Sequence, residues 1–183
     1  MMINHNLLLE SLLHNQITIN YNGGELMAKF SEGDLYEIWS VLQKAETKYP
    51  FIWLQSGYKI TESSNHGNSS LKLENLKFFI ITKGDKNDRY KTRHKTTFEL
   101  ILHPTKKQFI ELLKGKKGIT ISDDYSFVTF PFNNMAELSA RESSYGNKRE
   151  PQSTTIQDVW DAIYIEIPSI IINKNCFSEY EVK

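Results

Sequence analysis

Five histidines, one cysteine and a pair of adjacent aspartates are the residues of this chain whose types suit catalysis or metal binding. His5, His14, His66, His94 and His103 are scattered, with no partner at metal-ligand spacing. His103 precedes a proline inside an amphipathic stretch, where packing or surface exposure explains it better than catalysis does. Asp123-Asp124 could hold a divalent cation. Apolar runs on both sides instead suggest strands, with the aspartates at a hairpin turn. Gly23-Gly24 lacks both the third glycine of a dinucleotide fingerprint and the lysine of a P-loop. Cys176 has no histidine near it in sequence and reads as an inert thiol. As the only cysteine, it excludes an internal disulfide or a zinc knuckle and points to a reducing compartment. Asn68-Ser69-Ser70 matches the glycosylation pattern, but no secretory signal accompanies it. The expectation is a protein that is not an enzyme and needs no cofactor and no metal.

What remains is charge. Lys+Arg and Asp+Glu are equal at 22 each, so the whole molecule makes no argument for nucleic acid. Between positions 83 and 117, however, eleven basic side chains stand against four acidic ones, a local excess of +7 that the rest of the chain must offset. Lys86, Arg89, Lys91, Arg93 and Lys95 alternate there with Tyr90 and His94. That composition suits phosphate contact, an acidic surface on a neighbouring subunit, or simply a solvated loop tip. Charge segregated in this way favours head-to-tail contact between copies, or one face turned toward a polyanion.

The elements that position these groups follow from periodicity. Leu8, Leu9, Leu12 and Leu13 mark a short amphipathic helix, and the chain start lacks the basic flank and cleavage site of a signal peptide. Residues 16–30 alternate as two strands about Asn22-Gly23-Gly24, whose types accept the positive φ of a tight hairpin turn. A helix is expected from Ser31, with Asp34 in the capping-box position and Leu35, Ile38, Leu42 and Ala45 as its buried stripe, ending at Tyr49-Pro50. "FIWL" follows as a buried strand, residues 61–70 as a polar loop, and "LKLENLKFFIITKG" as a long strand. Phe98, Ile101, Leu102, Thr105, Phe109, Leu112 and Leu113 keep helical phase across Pro104. One kinked helix, or two nearly in line, is expected, capped by Thr96 or Thr97 and ended at Gly115. Residues 118–132 read as a second hairpin, and 133–155 as an extended arm or loop within a single domain spanning 1–183.

From Ala162 to Ile172 runs one of the most apolar stretches of the chain, interrupted by Pro168. Proline removes a ladder donor, so an edge strand or a bulge is expected, its exposed side covered by a neighbouring copy. Strands and helices alternate in no regular βαβ order. The fold class expected is α+β, a twisted, mostly antiparallel sheet flanked by helices. No run approaches the ~20 apolar residues of a membrane span, so no membrane partner is expected and synthesis in the cytoplasm is.

Three phrases carry a resemblance. A helix running into "KYPFIWL", the "FELILHPTKKQFIELLKG" helix and the terminal "DVWDAIYIEI" strand occur in that order over residues 31–172. In this the chain resembles bacteriophage tail-completion proteins, the tail-terminator and head–tail connector group, in which "YPxIWL" and "DxxDAIxI" phrases recur. The N-terminal hairpin and Pro168 depart from that pattern. The resemblance implies a virion protein of the neck or tail, made in the host cytoplasm, with long loops reaching between subunits. It implies a cyclic homo-oligomer stacked on the portal or on another connector or tail ring, around a channel where packaged DNA meets it non-specifically. Inter-subunit or DNA contact would then fall to Lys86, Arg89, Lys91, Arg93 and Lys95, with Tyr145 and Arg149 as anchors of the arm. A small nucleic-acid-binding accessory protein using residues 83–117 is the alternative.

Overall fold

The structure, a computed structural model, describes residues 4–42, 44, 48–65, 68–85, 87–131, 159–177 and 180. The fold is α+β: a seven-stranded, mostly antiparallel sheet with helices packed on it and a separate two-stranded hairpin.

Helix α1 (His5–Leu13) is capped by Asn4, whose side chain accepts the Leu7 N–H at 3.1 Å, and buries its four leucines at positions 8, 9, 12 and 13. The hairpin β1 (Thr18–Tyr21) and β2 (Gly24–Met27) turns through Asn22 and Gly23, both at positive φ (50° and 78°), as its turn type requires. Phe30, expected as the end of this hairpin, instead belongs to β3 (Lys29–Gly33) of the main sheet, which pairs in parallel with β4 (Phe51–Gln55). That pairing takes Ser31 and Glu32 into a strand, so Ser31 does not cap the next helix. Helix α2 (Leu35–Leu42) begins three residues later on a second capping pattern. Asp34 Oδ1 accepts the N–H groups of Tyr36 and Glu37, while Glu37 Oε2 accepts the Asp34 N–H.

Strand β5 (Lys59–Asn65) replaces most of the expected polar loop and forms a hairpin with the long strand β6 (Asn68–Gly84). Its polar side chains hid it, because a ladder is built by backbone and needs no alternation where a face stays in solvent. A single long helix follows, made of α3 (Tyr90–Arg93), a π-helical segment (His94–Leu102) and α4 (His103–Gly115). It starts inside the expected charged loop. Thr96 and Thr97 are therefore interior residues whose hydroxyls bond back to the Thr92 and Arg93 carbonyls, not caps. Pro104 sits within the helix, and the expected stripe is buried at Phe98, Ile101, Leu102, Thr105, Phe109 and Leu113.

Residues 119–131 are not a hairpin. Strands β7 (Ile119–Ile121) and β8 (Ser126–Pro131) run one after the other along the same side of β9 (Val159–Asn173). Asp123 and Asp124 lie in the break between them, where the register advances by one residue, from Ile121↔Ile170 to Ser126↔Glu166. Strand β9 in turn is not an edge. It pairs with β6 over almost its whole length and with β7 and β8 on the other side, in the order β3-β4-β6-β9-β7. Most of its apolar run is buried by this chain's own strands and helices, Pro168 and Ile171 staying exposed, so its burial does not depend on a neighbouring copy.

Pro168 fits an interior strand through a matched irregularity. The β6–β9 ladder skips one position, between Glu74↔Ser169 and Leu76↔Ile167. The two unpaired residues are Pro168, which has no N–H, and Asn75, at φ 61°. Buried positions step by two on either side but by three across this point, from Leu73 to Leu76 and from Ile167 to Ile170. Both strands thus exchange faces together, and the same side of the sheet stays apolar.

That side holds the larger core. Leu8, Leu9 and Leu13 of α1 and Phe98, Leu102, Phe109 and Leu113 of the long helix pack on Ile52, Leu54, Phe78, Ile80, Ile163 and Ile165. The opposite face has a smaller cluster, with Ile38 and Leu42 of α2 on Phe51, Trp53, Phe79, Ile81, Trp160 and Ala162. Trp160 Nε1 donates to the Tyr49 hydroxyl at 2.8 Å, which ties this cluster to the residues before β4.

Candidate interaction surfaces

The long helix buries one stripe and must turn its remaining positions outward. Arg89, Lys91 and Lys95 are exposed at its start, Lys107 and Lys114 along it, and Lys116 and Lys117 just beyond its end. Of the contact residues expected from sequence, Arg89, Lys91 and Lys95 therefore lie on the exposed surface. Lys86, Tyr145 and Arg149 lie outside the described residues, as does the expected arm over 133–155.

Arg93 does not belong to that surface. It is 7% exposed and points at Asp161, which is fully buried on β9. One guanidinium nitrogen, Nη2, stands 3.8 Å from Asp161 Oδ1, too long for a hydrogen bond. Thr97 Oγ1 lies 2.8 Å from Asp161 Oδ2 and 2.6 Å from the Arg93 carbonyl, and its one proton serves either acceptor. Gly84 leaves room for the pair: a Cβ there would stand 3.0 Å from Asp161 Oδ2 and 3.3 Å from Arg93 Cδ. Burial pushes the Asp161 carboxyl above its ordinary range, against the opposing pull of the Thr97 hydroxyl and the Arg93 charge. The sequence signal for this cluster was an aspartate inside the apolar phrase "VWDAIYI", at the same strand parity as Ile163 and Ile165.

At the β8 edge of the sheet, cations of α4 sit over aromatic rings. Lys106 Nζ is 3.3 Å from the centroid of Phe127, and the His103 ring meets Phe127 edge-on at 6.5 Å. Lys114 Nζ lies 5.9 Å from the Tyr125 ring and 2.5 Å from Asp123 Oδ1. Burial lowers the affinity of Lys106 for its proton, whereas the Asp123 carboxylate raises that of Lys114. Phe127 and Val128 remain 44% and 57% exposed, so this edge offers both apolar and basic groups.

The β3 edge is the reverse. A cleft of about 370 Å³ there is lined by Glu10, Glu32, Asp34 and Glu37, together with Asn6, Ser31 and Ser56. The Tyr58 hydroxyl donates to Glu32 Oε1 at 3.0 Å, while Oε2 is buried without a partner among the described residues, and burial pushes this carboxyl up. Nearer the start of β3, the backbone N–H and C=O of Phe30 both face His14 Nδ1, at 3.3 and 3.1 Å. The imidazole accepts from the first or donates to the second according to tautomer, and either way it occupies an otherwise open edge position.

Among the described residues, no three His, Cys, Asp or Glu side chains converge as ligands for a metal ion. None of the described helices is long and apolar enough to cross a membrane. No protein-family model matches the chain, and neither a curated protein nor a solved structure does.

Proposed function

We propose that this chain is a non-enzymatic structural subunit that joins copies of itself head to tail into a ring of a phage neck or tail. The ring would join the portal to the tail around the DNA channel. The observation that supports this reading is the opposite character of the two sheet edges. Carboxylates gather about β3, and lysines with exposed apolar groups lie along β7 and β8. A head-to-tail contact uses two different surfaces of each copy and closes into a ring when the rotation allows it. Opposite charge would bring those surfaces together in register. The phrase resemblance adds the virion setting and the partners: portal-adjacent or tail rings on either side, and packaged DNA meeting the channel wall without sequence preference.

Sedimentation of the purified chain across a concentration series, with negative-stain images, tests the assembly. Closed rings and antibody labelling of the virion neck or tail are the expected results. A monomer at every concentration, also absent from virions, would end the proposal. A second reading, a nucleic-acid-binding accessory protein, draws on the exposed Arg89, Lys91 and Lys95. It expects DNA retention that falls steeply with salt and disappears when all three are changed to glutamate. No retention at low salt removes that reading.

A further inference from the structure

The long helix contains a rare feature: nine consecutive residues, His94–Leu102, in π geometry, with the His103 N–H bonded to the Phe98 carbonyl five residues back. π-helix usually occurs as a single widened turn, because α geometry is the more favourable. Two turns of it need something that holds both ends.

Counting turns shows what is held. Arg93 and Leu113 lie twenty residues apart and both face the sheet. An unbroken α-helix would separate them by about 5.6 turns, placing them on nearly opposite sides. With nine residues at about 4.4 per turn, the separation becomes about 5.1 turns, and both point the same way. At the C-terminal end, Phe109 and Leu113 are fixed in the apolar core. At the N-terminal end, what faces inward is Arg93, toward Asp161, with Thr97 bonded to the same carboxylate.

Stability alone does not explain that polar end. The pair is buried, the closest approach is 3.8 Å, and Arg93 Nε and Asp161 Oδ1 have no hydrogen-bond partner among the described residues. Apolar residues of similar volume often replace such a pair at no loss. What they could not supply is a directional demand that Arg93 face β9.

We propose that the Arg93–Asp161 pair is a register lock that keeps His94–Leu102 wide and so sets the direction in which Arg89, Lys91 and Lys95 project. Without the Asp161 carboxylate the segment rewinds toward α geometry. The helix start then turns by about half a turn, carrying its exposed cations to another side. This goes beyond the assembly reading and holds whether the basic surface meets protein or phosphate.

The test uses the full chain labelled with spin probes at native Cys176, which is exposed, and at Lys91→Cys. The distance between them is compared with and without Arg93→Met/Asp161→Leu, and amide exchange is read in the same proteins. The expected result is a folded double variant in which that distance moves by about 5 Å or more, since a helix with side chains is about 10–12 Å across. Amides of His94–Leu102 should change protection at least about tenfold, while those of β6 and β9 keep theirs. Asp161→Asn, with the same shape and no charge, supplies the same two readouts should the double variant fail to fold. A folded variant with an unmoved distance and unchanged protection over His94–Leu102 overturns the proposal.

Discussion

The two faces of the sheet are covered differently. One is closed along β4, β6 and β9 by α1 and the long helix, and its buried positions form one continuous core. Among the described residues, the other is closed only where α2 lies on Phe51, Trp53, Phe79 and Trp160. Beyond α2, the second face carries Lys72, Glu74, Lys77 and Glu166, and the sheet meets solvent there. The lesson is that cover follows side-chain chemistry residue by residue. A strand needs a helix above it only over the stretch where its outward positions are apolar.

Substitutions can break this comparison, beginning with the largest effects. Phe78→Ala on the closed face and Trp53→Ala beneath α2 each remove a buried ring, at about 3–5 kcal/mol in denaturant unfolding. Phe78→Ala should weaken the whole sheet, whereas Trp53→Ala should raise amide exchange most in α2. Equal and uniform exchange in both would mean that the two clusters are one core. Arg93→Glu would bury a second carboxylate beside Asp161 and should cost about 3–5 kcal/mol. Arg89→Glu, four residues earlier and exposed, should stay within about 0.5 kcal/mol. Similar losses for the two arginines would erase the distinction between anchor and surface.

Gly33→Ala is a smaller test of the second face. Its Cβ would come 2.7 Å from Trp53 Cζ2 and also meet the Glu37 carboxylate that closes the α2 capping box. A loss of about 1–3 kcal/mol is expected, read as a lower thermal midpoint. The least effect belongs to the open half. Lys72, then Lys59, hold the Glu74 carboxyl down to about 2, below its ordinary 4.5. A depressed carboxylate stabilises the fold above its unfolded value, and that contribution fades as pH falls from about 5 toward 2. Comparing Glu74→Gln with the parent across that range should show a small difference that narrows on acidification and shrinks in salt. A difference that grew with acid would reverse the assignment.

Much of the element list was legible from local pattern. The leucines of α1, the Asn22-Gly23 turn, the apolar "FIWL" and the stripe from Phe98 to Leu113 each state their period within a few residues. The capping of α2 was half legible, since Ser31 and Asp34 both open a capping pattern. Only the pairing of β3 with β4 excluded the first. Of the basic residues, sequence grouped Arg89, Lys91, Arg93 and Lys95 alike, because alternation in a supposed loop carries no facing. The acidic cleft about β3 was not legible at all, since Glu10, Glu32 and Glu37 come from three different elements.

By itself, then, the order of residues determined most of the strands and helices, though not β5 or the start of the long helix, and that charge is unevenly shared along the chain. Tertiary structure decided which strand lies inside the sheet, which arginine is buried and which carboxylates meet. The physical reason is range. Periodicity and capping act over three to five positions, whereas the place of β9 depends on β6 and on β7 and β8, dozens of residues away in the chain. An apolar run looks the same at an edge and in an interior, and only its partners tell the two apart.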